Sequence, residues 1–313
     1  MARRGGRLAF PRPPGDPGVT RLHQLEHRRH SLLEIREIMG SMKTLAYMET
    51  RKLARFLEAQ HAVVRSIEQM AADLLSFHPE ILPAVEETTP VFLLIGTERG
   101  FCGDFNHALV RHLQAALQDH HLPGEPRLIA VGRRLANLVE EDSRACTLID
   151  GATVAEEVPP LLSRLVDELA GLQPGHGLVS LYCLAHGAEG GPRMQRLLPP
   201  FQSLSRGGPR YPHPPDLNLP PRDFLIELAD HYLFAALHEI LYSSLMAENQ
   251  QRVAHLEGAM DHLDEKLSVL GRQCNALRQE EIIGEIEVIL LSAPGLEEPA
   301  AGRGREVKGG DGE

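Results

Sequence analysis

The chain has 313 residues, of which 42% are hydrophobic, 24% charged and only 4% aromatic, with no Trp. This composition suits long helices that pack through Leu, Ile, Met and Ala. With 32 Lys and Arg against 43 Asp and Glu, the net charge of -11 argues against a nucleic-acid partner, because phosphate binding needs clustered positive charge. No apolar run approaches the roughly 18 residues that span a bilayer, so no direct membrane span is predicted.

The N-terminal part of the chain divides into a leader and a long helix. Residues 1–20 are rich in Arg, Pro and Gly and predict a disordered leader. Across residues 21–78 apolar side chains recur at helical spacing, beginning with Leu22, Leu25 and Leu32, and no proline interrupts them before Pro79. At 1.5 Å per residue this helix would be about 80 Å long, which predicts a coiled coil or helical bundle with a long partner helix.

The middle of the chain, residues 88–205, has a different pattern. Short runs rich in β-branched residues and Leu predict strands at residues 91–97, 127–132 and 177–185. Helices are predicted between them at residues 106–117, 133–141 and 158–172. The alternation indicates a small, Rossmann-like α/β domain built from βαβ units.

The C-terminal part resumes a helical pattern after a proline-rich linker predicted at residues 206–222. The predicted helix covers residues 223–292, and it carries apolar residues in alternating steps of three and four. They are Met260, Leu263, Leu267, Leu270, Cys274 and Leu277. The predicted fold is therefore mixed α/β: a long antiparallel coiled coil of the terminal helices with an inserted small α/β domain. Residues 293–313 are predicted to form a disordered tail.

A glycine-rich stretch follows the first predicted strand, at residues 96–106. Such a turn between strand and helix could bind phosphate through backbone amides, but the GK[ST] ending of a phosphate loop is missing, and the glycine spacing is not that of GxGxxG. The alternative is structural: the glycines permit a tight turn, and Asp104 or Asn106 caps the following helix.

No catalytic, cofactor or metal site is predicted. The four cysteines form no CxxC pair, and Cys102 lacks the local sequence signature of a cysteine nucleophile. The 16 histidines include no HExxH and no other metal-ligand spacing. Glu280, Glu281 and Glu285 at helical spacing indicate a solvated charged face rather than paired catalytic carboxylates.

Three segments resemble the gamma subunits of F-type ATP synthases, in a divergent bacterial-type branch. Residues 35–52, IREIMGSMKTLAYMETRK, resemble the family's N-terminal helix, with Glu49-Thr50-Arg51 departing from its usual small residues and Lys. Residues 98–106, ERGFCGDFN, are similar to the family's D-R-G-L-C-G-x-F-N motif, in which Gly100, Cys102, Gly103 and Asn106 match. Residues 244–291 resemble its C-terminal helix, including the run NALRQEEIIGEIEVIL.

The resemblance implies the central rotor shaft of the synthase, which couples ion-driven rotation to ATP synthesis or hydrolysis at sites on alpha and beta subunits. The implied partners are the alpha–beta hexamer ring, the epsilon subunit and the membrane c-ring, and the implied location is the cytoplasmic face of the bacterial inner membrane. The chain itself would be a peripheral, non-catalytic subunit without a cofactor. The implied rotor–stator contacts are Met42, Lys43, Arg278, Gln279 and Glu285, and the implied bearing tip is Ile286, Ile289 and Leu290.

Two further interpretations belong to other functional classes. A stand-alone coiled-coil adaptor would account for the helices, but not for ERGFCGDFN occurring together with NALRQEEIIGEIE. A nucleotide-binding enzyme on the α/β core would require a phosphate loop or converging acid and base groups, and the sequence shows neither.

Overall fold

The computed structural model describes residues 17–83, 90–119, 126–140, 146–171, 180–188, 190–202, 204 and 211–292. The described chain forms two compact units. The central unit comprises residues 36–261. The terminal unit combines the two chain ends, up to residue 35 and from residue 262.

Two long helices contribute to both units: α1, Pro17–Phe77, with 61 residues, and the C-terminal helix α5, Pro221–Ser292, with 72 residues. Both begin a few residues earlier than predicted, inside the expected leader and the expected proline-rich linker. Each begins at a proline, which suits the first helical turn because its missing N–H would have no acceptor there. The first 16 residues of the predicted leader, the tail from residue 293 and part of the linker lie outside the described residues.

Between these helices the chain forms a five-stranded sheet. Its strands are β1 Val91–Ile95, β2 Arg127–Val131, β3 Cys146–Ile149, β4 Leu181–His186 and β5 Pro192–Leu198, in the order β3-β2-β1-β4-β5. The first four strands are parallel, and β5 pairs antiparallel to β4 at the edge. The helices are α2 Phe105–Asp119, α3 Arg133–Glu140 and α4 Val158–Gly171, with short 3-10 helices at Pro79–Ile81 and Ala155–Glu157. The predicted α/β class is confirmed, and β3 and β5 are strands that the sequence analysis missed.

The sheet separates two hydrophobic clusters because side chains alternate between its faces. Phe92 and Leu94 of β1 pack with α2 and α3 on one face. Val91, Leu93 and Ile95 face the other side, where α4 and the two long helices complete the larger cluster. In the central unit α1 and α5 run antiparallel: Phe56 stacks on Tyr242 at a ring-centroid distance of 5.5 Å, and Lys43 pairs with Glu257 at 3.4 Å.

The inner face of α1 in the central unit follows a heptad pattern. The residues that are buried at seven-residue intervals include Met39, Ala46 and Leu53, and a second series includes Leu57, Val64 and Ala71. In the terminal unit, the predicted seam of α5 is buried or half-buried from Leu263 to Leu277, whereas most intervening residues are exposed. The coiled-coil periodicity predicted for α5 is therefore present in the structure.

Candidate functional site

The glycine-rich motif at residues 98–106 forms the connection from β1 to α2. The side chain of Asn106 turns back to the end of β1, where its Oδ1 accepts a hydrogen bond from Thr97 N at 3.0 Å and its Nδ2 donates to Thr97 Oγ1 at 2.9 Å. Gly96 is required at this closure because a Cβ there would lie 2.4 Å from Leu135 Cβ. Gly103 has a φ of +54°, a conformation that side chains rarely adopt.

The predicted helix cap is only partly correct. Asp104 directly precedes α2, and its backbone carbonyl accepts the first helical hydrogen bond, from Ala108 N at 2.9 Å. Its carboxylate pairs with Arg111, which lowers the pKa of Asp104 below its ordinary value. Asn106 is engaged with Thr97 instead of the helix amides. Its role is to close the loop onto β1.

Glu98, the first carboxylate of the motif, binds two backbone amides outside the motif. Glu98 Oε2 accepts hydrogen bonds from Arg133 N, the first residue of α3, at 3.1 Å and from Gly151 N at 2.9 Å. The Arg133 side chain lies 3.1 Å from Glu98 and 2.9 Å from Asp150. An open cavity of about 450 Å³ adjoins these residues. The N-terminus of α3 beside this cavity already binds the carboxylate of Glu98. Glu98 therefore joins the motif to the start of α3 and to the loop after β3.

Cys102 is not an activated nucleophile. The residue is 5% exposed, and burial raises the pKa of its thiol to about 12. The thiolate would therefore be scarce at neutral pH. Among the residues described, no group of His, Cys, Asp and Glu is arranged to hold a metal ion.

The motif is joined to α5 by a buried charged group that the sequence analysis missed. Arg252 Nε donates to the carbonyl of Gly100 at 3.2 Å, Nη1 donates to Asn249 Oδ1 at 2.9 Å, and Nη2 pairs with the Glu248 carboxylate. Arg252 is 6% exposed, and Glu248 and Asn249 are each 3% exposed. In the sequence this group is visible only as Glu248 and Arg252 at a spacing of four residues on a helix. The same spacing is found in solvent-exposed ion pairs, so it did not predict burial.

Burial and the ion pair act in opposite directions on Glu248. Loss of solvent raises the pKa of this carboxyl to about 7, and the charge of Arg252 partly offsets the increase. A second polar contact lies nearby, where Ser244 Oγ donates to the carbonyl of Ile95 at 3.4 Å. The end of β1 and the motif are therefore attached to α5 over about two helical turns, between Ser244 and Arg252.

The predicted contact residues of α1 lie beside an exposed apolar stripe. Lys43 is half-buried and pairs with Glu257 of α5, and Met42 is half-buried on the neighbouring face. Ile38, Leu45 and Met48 surround these positions and are exposed to 61%, 66% and 61%. Such a run of apolar side chains at helical spacing is a feature of protein-binding surfaces.

The predicted contact residues of α5 are exposed in the terminal unit. Arg278 Nη2 binds Glu26 Oε1 of α1 at 2.5 Å, while Gln279 and Glu285 point to solvent. The predicted tip residues are also exposed: Ile286 to 51%, Ile289 to 65% and Leu290 to 62%. Leu291, the last residue of the apolar end that was expected to form the tip, is exposed to 87%. The end of α5 thus presents a broad apolar surface.

Comparison with known proteins identifies the family. A model of the ATP synthase family matches residues 21–296, and the ATP synthase gamma chain of Desulfitobacterium hafniense is 22% identical over 286 residues. The chain belongs to the ATP synthase gamma family. That alignment covers 87% of this chain and 98% of the relative, and the gamma chain of Acidithiobacillus ferrooxidans is 22% identical over 281 residues, with 84% and 95% covered.

The fold is also found in a solved structure of the rotor of Euglena gracilis mitochondrial ATP synthase. The TM-score is 0.55 at 17% identity, and the match covers 84% of this chain and 99% of the other. As a member of the gamma family, the chain is a component of an enzyme complex. In the part of the chain that the structure describes, no helix has the length and apolar content needed to cross a membrane.

Proposed function

We propose that the chain is the central rotor shaft of an F-type ATP synthase and couples ion-driven rotation to ATP synthesis or hydrolysis on other subunits. The observation that carries the proposal is the family match over residues 21–296, which includes α1, the inserted α/β domain and α5. Long paired helices suit this role because two packed helices resist bending and twisting more than one does.

In this proposal the chain is a non-catalytic subunit. The raised pKa of buried Cys102 supports this view, since it argues against covalent chemistry at the cysteine that was considered as a nucleophile. ATP would be made or hydrolysed at interfaces between alpha and beta subunits. The shaft would act on those sites by presenting a different face to each of them.

The surface proposed to contact the alpha–beta ring includes Met42 and Lys43 on α1. The exposed side chains of Ile38, Leu45 and Met48 beside them provide apolar contact area that a surrounding subunit could bury. Such a surface on one side of the helix favours one beta-subunit conformation over another by the difference in contact energy. Rotation of the helix would then change which beta subunit is favoured.

On α5, Arg278, Gln279 and Glu285 are proposed to contact loops of the beta subunits. The exposed apolar residues Ile286, Ile289 and Leu290 are proposed to turn within a sleeve formed by the ring. Apolar contacts suit a bearing because they are non-directional, so no set of hydrogen bonds must be broken as the helix turns.

The remaining proposed partners are the epsilon subunit and the membrane c-ring, beside the inserted domain. This arrangement would place the chain on the cytoplasmic face of the cell membrane as a peripheral subunit.

The proposal is tested by co-expressing the chain with alpha and beta subunits of the same organism, followed by sizing and ATPase assays. We expect a stable complex that contains the chain, and hydrolysis that depends on it. Replacing both Arg278 and Gln279 by Ala should weaken hydrolysis. An alpha–beta ring that assembles and excludes the chain would contradict the proposal and leave the coiled-coil adaptor as the better account.

A further inference from the structure

Two charged residues of α1 contact the loop that leads into α4. Glu49 Oε1 accepts a hydrogen bond from Ala155 N at 2.6 Å, and Lys52 Nζ pairs with the Glu156 carboxylate. Lys52 also lies 3.9 Å from Glu49 on α1 itself. The contacts join positions that are more than 100 residues apart in the chain.

The backbone amide of Ala155, in the loop before α4, needs a hydrogen-bond acceptor from another part of the chain. The 3-10 helix Ala155–Glu157 runs directly into α4, and the residue before it, Val154, has no side-chain oxygen with which to cap the helix. Glu157 turns back to Thr153, accepting from its amide at 2.6 Å and from its hydroxyl at 2.9 Å. Glu49 supplies the acceptor for Ala155 N from another helix.

The polar contacts lie at the rim of an apolar contact between the same elements. Leu53 of α1, which is fully buried, belongs to the same hydrophobic cluster as Ala155 and Val158, which are 2% and 0% exposed. Apolar packing alone is non-directional, whereas a hydrogen bond to one backbone amide fixes position. The hydrogen bond from Ala155 N to Glu49 thus ties the 3-10 helix before α4 to one position on α1.

We propose that Glu49 and Lys52 are positioning residues that fasten the inserted domain to α1. Together with the contact of Arg252 to Gly100 on α5, they form a two-point joint that makes the domain and the helix pair of the central unit turn as one body. The inference rests on the proposed rotor function. Apolar packing already holds the domain against both long helices, and directional polar contacts on each helix add resistance to sliding under torque.

The test uses the complete synthase containing the full chain, reconstituted in lipid vesicles. Glu49→Leu removes the acceptor, Glu49→Gln retains an uncharged one, and Glu58→Leu is the matched control, because Glu58 is exposed on the same helix. Two quantities are measured: hydrogen exchange of the segment that contains the Ala155 amide, and the number of ions pumped per ATP hydrolysed.

We expect Glu49→Leu to speed exchange of this segment about 10- to 100-fold, as loss of a charge-assisted hydrogen bond predicts. We also expect fewer ions pumped per ATP at a nearly unchanged rate of hydrolysis, a result that a general loss of stability would not give. Glu49→Gln, whose amide oxygen is an uncharged acceptor, should recover only part of both losses, and Glu58→Leu should match the wild type. If Glu49→Leu does not assemble, an intermediate effect of Glu49→Gln on exchange and pumping supports the same conclusion.

If hydrogen exchange of the Ala155 segment is unchanged in the assembled Glu49 variants, Glu49 does not fasten the inserted domain to α1. If exchange is faster but the number of ions pumped per ATP is unchanged, the contact has no role in coupling. If the wild-type chain itself neither assembles nor supports pumping, the rotor function fails instead. The two failures are therefore distinguishable.

Discussion

Replacing Arg252 by Leu removes a cation from a carboxylate that is buried against it. Arg252 and Glu248 are 6% and 3% exposed, so solvent cannot replace the lost partner. Breaking a buried ion pair from one side costs about 3–5 kcal/mol. Loss of the charged donor to the Gly100 carbonyl adds about 1–2 kcal/mol. We therefore expect a decrease of about 5 kcal/mol in the free energy of unfolding near pH 8.

The cost should depend on pH because Glu248 can be neutralised. Burial raises its pKa in the folded chain from the ordinary 4.5 to about 7. The folded state thus binds this proton more tightly than the unfolded state, and the resulting stabilisation is present below 4.5 and lost as pH rises through 7. Without Arg252 the pKa rises further. The destabilisation should therefore be about 1 kcal/mol smaller at pH 6 than at pH 8.

The assay is urea unfolding of the full chain, followed by circular dichroism since the sequence contains no Trp. Arg55→Leu, an exposed position on α1, is the control and should change stability by less than about 0.5 kcal/mol. Replacing Glu248 and Arg252 together by Leu should recover part of the loss. A cost below about 1 kcal/mol for Arg252→Leu, or a cost independent of pH, would refute the reasoning.

Two other predictions concern the motif. Cys102 should resist thiol reagents at pH 8 in the folded chain and react on unfolding, because it is buried and its thiol has a pKa of about 12. Half-buried Cys146 should react faster. Mass spectrometry of the labelled peptides checks this, and rapid labelling of Cys102 in the folded chain would contradict the buried geometry. Gly103→Ala should lower the free energy of unfolding by about 1–2 kcal/mol, because its φ is +54°. Gly258→Ala, inside α5 with open space around its Cβ position, should instead raise it by up to about 1 kcal/mol; equal effects in urea unfolding would refute the backbone argument.

Helical and strand periodicity predicted much of the fold. The α5 seam could be read from the spacing of Leu263, Leu267 and Leu270, since a repeat of three and four residues defines one face of a helix. The two edge strands, β3 and β5, were harder to predict from the sequence. β3 has only four residues, and β5 begins with a proline and contains two Arg and a Gln, so neither has the apolar run of a central strand.

On α1 the helical spacing of the apolar residues did not show which of them are buried. Ala46 is 4% exposed and its neighbour Leu45 is 66% exposed, although Leu is the more hydrophobic residue. The choice depends on how closely α5 approaches, which is a tertiary effect. The exposed stripe that includes Leu45 became visible only in the structure.

The buried charges of the candidate site were beyond sequence reasoning for a related reason. Glu248 and Arg252 have the spacing of an ordinary surface ion pair, and their burial results from the docking of the motif onto α5. In the same way, Glu49 could be recognised as a departure from the family pattern, but its contact with Ala155 depends on the placement of a loop more than 100 residues away.

Rotation of the chain within an alpha–beta ring is the most direct test of the proposed function. A probe can be attached through Ala115→Cys, an exposed position on α2, in a chain that also carries Cys146→Ser, with the ring fixed to a surface. If the chain is the rotor shaft, the probe should turn continuously in one direction while ATP is supplied and stop when ATP is removed. A complex that contains the chain and hydrolyses ATP while the probe only fluctuates about a fixed position would contradict the rotor function.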